Sequence, residues 1–122
     1  MIVNSRPARP PPRVTTVLVV NRFRVTPDDA SEFRIALEAA HATLAAQRGY
    51  ADGHLGQNVD DPELWVLTTR WENVGAYRRA LSTYDVKLTA VPVLSRSVEE
   101  PSAYEIVTPT TRLNRSEPRE TP

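Results

Sequence analysis

A β-branched, apolar segment followed at once by a helix start is the feature that most restricts the fold of this chain. Residues 16–25 read TVLVVNRFRV, which predicts a strand that is buried on both faces near its beginning. The next four residues, Thr-Pro-Asp-Asp, favour a helix N-terminus, and apolar residues then recur at helical spacing. We therefore predict a strand followed by a helix over about 27–47, with Gly49 as its C-terminal stop.

The rest of the sequence adds two strands, a helix and a final strand. Residues 50–59 predict a weak strand with two glycines, and residues 63–72 predict a strong one. Asn73 is suited to cap a second helix, residues 85–95 continue as a short helical or irregular stretch, and residues 102–107 predict a short last strand. This order is typical of an α+β, ferredoxin-like split βαβ fold, with an antiparallel four-stranded sheet and both helices on one face.

The sheet face without helices is expected to be apolar. Leu18 and Val20 of the first strand and Val66 and Thr68 of the third are uncharged and share that face by alternation. An apolar face that no helix covers predicts a partner, and a homodimer that packs sheet against sheet is the simplest solution. Arg70 alternates onto the same face, where it needs a carboxylate or solvent.

Proline and arginine concentrate at the two ends of the chain. Seven of the eleven prolines lie in residues 1–13 and 108–122, where large apolar residues are scarce. We expect these ends to be disordered tails around one domain over residues 14–107. That domain carries nine basic and thirteen acidic residues, so its net charge of −4 argues against a nucleic-acid partner.

Composition excludes several kinds of chemistry. The chain has no Cys, which excludes disulfides, thiolate metal sites and a cysteine nucleophile. No stretch approaches the length of a membrane span and the first residues lack the apolar segment of a signal peptide, so we expect a cytoplasmic protein without a membrane partner. With four glycines and no phosphate-binding loop, a nucleotide site is not expected, and two separated His residues make no metal pair.

Three residues on the predicted inner strands are candidates for ligand binding. Asn21 shares its face with apolar neighbours of the first strand, and a buried amide either joins a local hydrogen-bond network or faces a pocket. Trp65 and Trp71 share one face of the strongest strand, where large aromatic residues either fill the core or form the wall of a pocket.

Two tyrosines and two histidines are further candidates. Tyr77 and Tyr84 are seven residues apart, which predicts that they share one helical face. Each packs with its hydroxyl at the rim of the core, or Tyr77 donates to a substrate oxygen. His41 flanks the apolar stripe of the first helix and His54 lies in the glycine-interrupted strand, and each is either an ordinary, partly exposed histidine or a general base.

The order of elements, together with Trp71-Glu72 followed by Ala76-Tyr77, resembles the antibiotic biosynthesis monooxygenase family. The resemblance covers nearly all of residues 15–107. It implies a small ferredoxin-like protein that pairs into a dimeric α+β barrel. It implies function less directly, because one fold hosts several chemistries in this superfamily.

One branch of the family resembles this chain in two of three pocket residues. Its members are anthrone-oxidising enzymes that use neither metal nor flavin, and whose deprotonated substrate reduces O₂ directly. The branch has an Asn four residues before a Trp and a Tyr six residues after it. Trp71 and Tyr77 match, Leu67 occupies the Asn position, and Asn21 is an alternative source of an amide. The prediction is a cofactor-independent monooxygenase-like protein for a planar aromatic metabolite, with Tyr77, Asn21 and His54 as catalytic residues and Trp71, Trp65, His41 and Tyr84 as substrate-binding residues.

A second branch, the haem-degrading enzymes of this fold, is a poorer match. Asn21 fits its first-strand Asn, but its helical Trp falls near Ala80 and its haem-ligating His near Ala90. Without a proximal ligand the haem iron has no anchor, so haem degradation is disfavoured. The missing polar residue at Leu67 leaves open a rival interpretation, a non-catalytic dimeric protein of the same fold that binds a small molecule or acts as an accessory protein.

Overall fold

The computed structural model describes residues 16–113, and these contain all four predicted strands. The predicted N-terminal tail over 1–13 and most of the C-terminal one lie outside the described residues, so the domain boundaries stay a prediction. The strands are β1 (Val17–Arg24), β2 (Tyr50–Gln57), β3 (Leu64–Trp71) and β4 (Ala103–Glu105), and the helices are α1 (Ala30–Ala45), α2 (Val74–Leu81), α3 (Tyr84–Thr89) and α4 (Val91–Leu94).

The four strands form one antiparallel sheet in the order β2-β3-β1-β4. β1 and β3 pair along their whole length, from Val17 opposite Trp71 to Arg24 opposite Leu64. The two central strands are therefore the two with the most β-branched and aromatic residues, as their propensity favours. This topology confirms the predicted α+β, ferredoxin-like fold.

The hydrophobic core lies on one face of the sheet, which we call the covered face. Alternate residues of β1 are buried there, from Val17 to Phe23, and so are Leu67, Thr69 and Trp71 of β3. α1 packs against this face through its regularly spaced apolar residues, of which Phe33 and Leu44 mark the two ends. The period of two in the strands and of 3.6 in the helix thus meet in one core.

The first helix begins with a tighter turn than its sequence predicted. Pro27–Asp29 form a 3₁₀ turn, and α1 proper starts at Ala30. Thr26 precedes the turn as expected, but its hydroxyl donates to the Asp29 carboxylate at 3.2 Å instead of capping the backbone. The helix ends at Ala45, with Ala46 as its C-cap, so Gly49 is not its stop as predicted. Gly49 lies instead in the turn before β2, where its φ of 91° is a conformation that glycine adopts without strain.

The prediction that Tyr77 and Tyr84 share one helical face is wrong. α2 ends at Leu81, and Tyr84 begins the separate helix α3 with 75% of its surface exposed. The break occurs at two hydroxyl residues, because the Ser82 and Thr83 side chains donate to backbone carbonyls of the preceding turn. The last strand is also shorter than the predicted 102–107.

The opposite face of the sheet, which we call the open face, carries arginines that are paired within the chain. Arg70 donates to both carboxylate oxygens of Asp52, at 3.2 and 2.6 Å, and this lowers the pKa of Asp52. Arg22 binds Glu100 in the same two-pronged way, and Arg24 binds Asp61. Apolar residues between these pairs, such as Val20 and Val66, are only half-buried. Among residues 16–113 no helix is long and apolar enough to cross a membrane.

Candidate functional site

A carboxamide without a partner lies at the middle of the covered face. Asn21 is 9% exposed, and within residues 16–113 no hydrogen bond engages its side-chain amide. Its cross-strand partner is Leu67, which is fully buried. Directly paired side chains of neighbouring strands lie about 5 Å apart. The amide of Asn21 therefore lies beside Leu67 on the same face of the sheet.

A second unpaired donor lies one step along the sheet. The indole Nε1 of Trp65 is buried and has no acceptor among residues 16–113. Trp65 is paired with Phe23, so it is a diagonal neighbour of Asn21 across the two central strands. Its ring packs edge-on against Phe33 at 5.9 Å, and the guanidinium of Arg96 lies 4.9 Å from the centre of the Phe33 ring. An unpaired buried donor costs about 1–3 kcal/mol, so the Trp65 N–H needs an explanation.

Trp71, by contrast, is satisfied. It is fully buried, and its Nε1 donates to the Thr69 hydroxyl at 2.8 Å. Its ring contacts Tyr50 edge-on at 5.4 Å and Tyr77 at 5.6 Å. Trp71 therefore joins two tyrosines, one from β2 and one from α2, into a continuous set of rings.

Tyr77 is held in place by the start of its helix. The Asn73 side chain accepts from the Ala76 amide at 2.8 Å, which confirms the predicted cap, and α2 then turns Tyr77 toward the sheet. Burial raises the pKa of the Tyr77 phenol, and a polar contact with the Ser102 side chain opposes part of that rise. The hydroxyl therefore stays protonated and able to donate near neutral pH.

His41 forms a pair with a tyrosine that the sequence did not single out. Its Nε2 lies 2.7 Å from the hydroxyl of Tyr50. Burial, and to a lesser extent the nearby His54, lowers the pKa of His41, while burial raises the pKa of Tyr50. Both groups are therefore neutral near pH 7, and the arrangement that satisfies both has the Tyr50 hydroxyl donating to Nε2.

Gly53 makes room for this pair. A Cβ atom at that position would lie 2.8 Å from the Tyr50 hydroxyl, 3.0 Å from His41 Nε2 and 2.5 Å from the Thr68 carbonyl oxygen. The glycine that weakens the β2 pattern in the sequence is thus required by the side chains around it. The sequence pattern did not indicate a role for Tyr50, because its contact with Trp71 depends on a register shift between Tyr50 and Asp52.

The structure separates the remaining predicted residues from this face. His54 is exposed and pairs with Thr68, so it lies on the open face, away from Asn21. The prediction that it acts beside Asn21 and Tyr77 is not supported by this placement. Tyr84 is exposed on α3, as described above. Asn21 and Trp65 remain as neighbours, and His41, Trp71 and Tyr77 form a second group about 13 Å further along β3, measured from Leu67 to Trp71.

The described residues contain no group of three or more metal-ligating side chains. At the two positions where the haem-degrading branch has Trp and His, the chain has Ala80 and Ala90, both buried in the core. Small apolar side chains there give an iron ion no axial ligand, so this chain does not match a haem site of that kind.

Comparisons with known proteins agree with this architecture. A model of the antibiotic biosynthesis monooxygenase family matches residues 16–90. A variant of SnoaB, a cofactor-independent oxygenase from Streptomyces nogalater, is 27% identical, with 84% of this chain and 99% of that chain covered and a TM-score of 0.64. No curated protein sequence matches the chain.

Two more distant structures share the fold. Rv0793 from Mycobacterium tuberculosis is 19% identical, with 84% of this chain and all of that chain covered and a TM-score of 0.60. A conserved protein from Methanosarcina mazei Go1 is also 19% identical, with 75% and 93% covered and a TM-score of 0.63. Because the family model spans more than half of the sequence, the chain belongs to the antibiotic biosynthesis monooxygenase family.

Proposed function

We propose that this protein is a cofactor-independent monooxygenase that acts on a planar aromatic metabolite of the anthrone or hydroquinone type. Family membership and the likeness to SnoaB favour oxygenation without a resident cofactor. In such a reaction the substrate loses a proton, and its electron-rich enolate passes electrons to O₂. The protein must bind a flat ring system, accept one proton and stabilise the oxyanion that develops.

The observation that carries the proposal is the unpaired amide of Asn21. Asn21 lies almost buried among apolar residues of the covered face and has no protein hydrogen-bond partner within residues 16–113, and a ligand oxygen would supply one. The N–H of Trp65, also unpaired, would donate to a second acceptor on the same ligand. Two donors at diagonal positions on an apolar face would suit the binding of an oxyanion.

The aromatic residues supply the remaining contacts. Trp65 and Trp71 bound the covered face of β3 at its two ends, six residues apart, which is about 20 Å. Tyr77, kept protonated by burial, would donate to a further substrate oxygen. A polycyclic substrate lying along β3 would therefore meet apolar walls and a few polar groups, the usual composition of a small-molecule site.

Of the two histidines, His41 is the one we assign to proton abstraction. It lies on α1, which packs on the covered face, and its lowered pKa keeps the imidazole unprotonated as a base requires. The substrate proton would reach it through the hydroxyl of Tyr50, which is hydrogen-bonded to its Nε2. His54 is not used, because it lies on the open face.

The active form we propose is a homodimer. The open face exposes half-buried apolar residues between its ion pairs, and a second copy would cover them. The internal pairing of Arg70 with Asp52 means that this arginine does not need a carboxylate from the partner.

Oxygen uptake tests the proposed activity. Metal-stripped protein is incubated with a panel of anthrones and hydroquinones, and uptake is corrected for autoxidation. We expect saturable uptake that Asn21→Leu and Tyr77→Phe each reduce by about tenfold or more, which corresponds to loss of one hydrogen bond to a charged oxygen. Tyr84→Phe is the matched control and should keep the full rate. Uptake that is unchanged in Asn21→Leu would reject the assignment.

A specific observation favours a second candidate, a non-catalytic binding protein of the same fold. The oxygenases that this chain resembles have Asn where this chain has Leu67, a fully buried apolar residue. Under this alternative the protein binds the same class of ligand through Asn21 and Trp65 without turning it over. Ligand binding that depends on Asn21, with no oxygen uptake across the panel, would select this candidate.

A further inference from the structure

We propose that Tyr77, Trp71 and Tyr50 form a path for one-electron oxidation that ends at Tyr50, where His41 receives the phenolic proton. This goes beyond the proposed function and does not depend on it, because the path is a property of the folded chain toward any strong one-electron oxidant. The oxidant class is a peroxyl radical or another species of comparable strength that forms beside Tyr77.

The first observation is the continuity of oxidisable rings. Tyr and Trp are the aromatic side chains that lose an electron most readily. The ring centres of Tyr77 and Trp71 are 5.6 Å apart, and those of Trp71 and Tyr50 are 5.4 Å apart. Rings at these separations are in contact, so an electron can pass between them without crossing saturated side chains.

The second observation is that the Tyr50 end of the path has a base at hydrogen-bond distance, whereas the Tyr77 hydroxyl contacts the Ser102 side chain, which is not a base. The Tyr50 hydroxyl and His41 Nε2 are 2.7 Å apart. Oxidation of a phenol makes its hydroxyl strongly acidic, and transfer of the proton to a neutral imidazole leaves a neutral tyrosyl radical. The Trp71 indole donates instead to the Thr69 hydroxyl, which is not a base. The radical is therefore most stable on Tyr50, where the proton can leave.

The step balances with no further reagent. Tyr50 loses one electron and one proton: the electron travels through Trp71 and Tyr77 and reduces the peroxyl radical to a peroxide anion, and the proton moves to His41 Nε2. A stray radical at the buried end of the path is thereby replaced by a tyrosyl radical on half-exposed Tyr50, from which soluble reductants can regenerate the phenol.

The chain is well suited to a direct test. It has four tyrosines, and Tyr84→Phe with Tyr104→Phe removes the two exposed ones, so only Tyr50 and Tyr77 remain. It has no native Cys, so Arg79→Cys on the exposed side of α2 provides one attachment point for a ruthenium photo-oxidant. Transient absorption and electron paramagnetic resonance then follow the radical, and spin trapping with peptide mass spectrometry locates it.

The parent of this series is the protein with Tyr84→Phe, Tyr104→Phe and the ruthenium-labelled Arg79→Cys. In it we expect a neutral tyrosyl radical trapped on Tyr50. Tyr50→Phe should abolish it and shift the trapped radical to Trp71 or Tyr77. Trp71→Phe should abolish the Tyr50 radical while the Tyr77 radical persists, whereas Trp65→Phe, its matched control outside the path, should leave the Tyr50 yield unchanged.

His41→Gln keeps the test decisive if Trp71→Phe does not fold, because position 41 is only partly buried. Glutamine cannot take up the proton, so we expect loss of the long-lived Tyr50 radical in a folded protein. A Tyr50 yield that is unchanged in Trp71→Phe or in His41→Gln, or a radical confined to Tyr77 in the parent, would overturn the proposal.

Discussion

The two faces of the sheet treat their polar groups in opposite ways. On the open face Arg22, Arg24 and Arg70 each meet a carboxylate of the same chain, although solvent is available to them. On the covered face the Trp65 indole N–H is buried without a partner within residues 16–113, and Asn21, which is 9% exposed, has no side-chain hydrogen bond there. Folding alone would favour the reverse, because an unmet hydrogen bond costs most where it is buried.

This contrast separates stability from function. The ion pairs of the open face are exposed and contribute little to the free energy of unfolding. We interpret them as charges that keep a half-apolar sheet face from associating nonspecifically with other proteins. The buried, unpaired N–H of Trp65 on the covered face is retained against stability, as polar groups in ligand sites often are. The contrast therefore supports a ligand site on the covered face, at Asn21 and Trp65.

The largest effect should come from the core of the covered face. Trp71→Ala removes a fully buried indole and leaves a cavity, so we expect the free energy of unfolding to fall by about 3–5 kcal/mol. Urea denaturation measures this. The neighbouring open-face variant Thr68→Ala should change stability far less, and equal losses would show that the two faces are equally packed.

The open face should control assembly instead. Val66→Lys places a charge in the middle of this face without touching the core, so we expect a folded monomer where the parent is a dimer. Light scattering at micromolar concentration gives the mass, and circular dichroism confirms that the fold is kept. A monomeric parent protein would refute the predicted homodimer.

Two substitutions on the covered face should shift stability in opposite directions. Thr69→Val removes the acceptor of the Trp71 N–H, so we expect a loss of about 1–3 kcal/mol. Asn21→Leu replaces an unpaired amide by an apolar group of similar size, so we expect stability to be equal to or above that of the parent protein. A large loss in Asn21→Leu would mean that its amide has a structural partner.

The smallest effect is a pH dependence that His41 introduces. Burial lowers its pKa below the ordinary 6.5, so as pH falls through 6.5 the unfolded chain takes up a proton that the folded chain does not. The free energy of unfolding should therefore decrease as the pH falls below 6.5, and above pH 6.5 His41 should make no pH-dependent contribution. His41→Gln should flatten the profile of urea midpoints against pH, and an unaltered profile would contradict the assignment.

Sequence patterns predicted the fold well because its strands and first helix have clear periods. The alternation in β1 correctly placed Asn21 with Val17, Val19 and Phe23, and the Asn73 cap was correctly located. What the patterns missed depends on tertiary geometry. Tyr84 was misplaced because two hydroxyl residues end α2 locally, and Tyr50 was overlooked because a register shift sets its contact with Trp71.

The candidate site was predictable only in part. The buried position of Asn21 followed from alternation, but the absence of a partner for it, and for the Trp65 N–H, becomes visible only when the whole covered face is assembled. For His54, conversely, the residue type and strand were identified, but its face becomes clear only from the pairing with Thr68. A period of two assigns a face only when the register is known.

The most direct test of the central claim is ligand-linked stability at Asn21. Urea unfolding of the parent protein and of Asn21→Leu is measured with and without dithranol, a dihydroxyanthrone, in the absence of oxygen. We expect dithranol to stabilise the parent protein by about 2–3 kcal/mol at a hundredfold excess over its dissociation constant, and to stabilise Asn21→Leu by about half as much or less at the same concentration, because loss of one hydrogen bond weakens binding about tenfold or more. Equal stabilisation of both proteins, or of neither, would contradict the claim that the unpaired amide marks the ligand site.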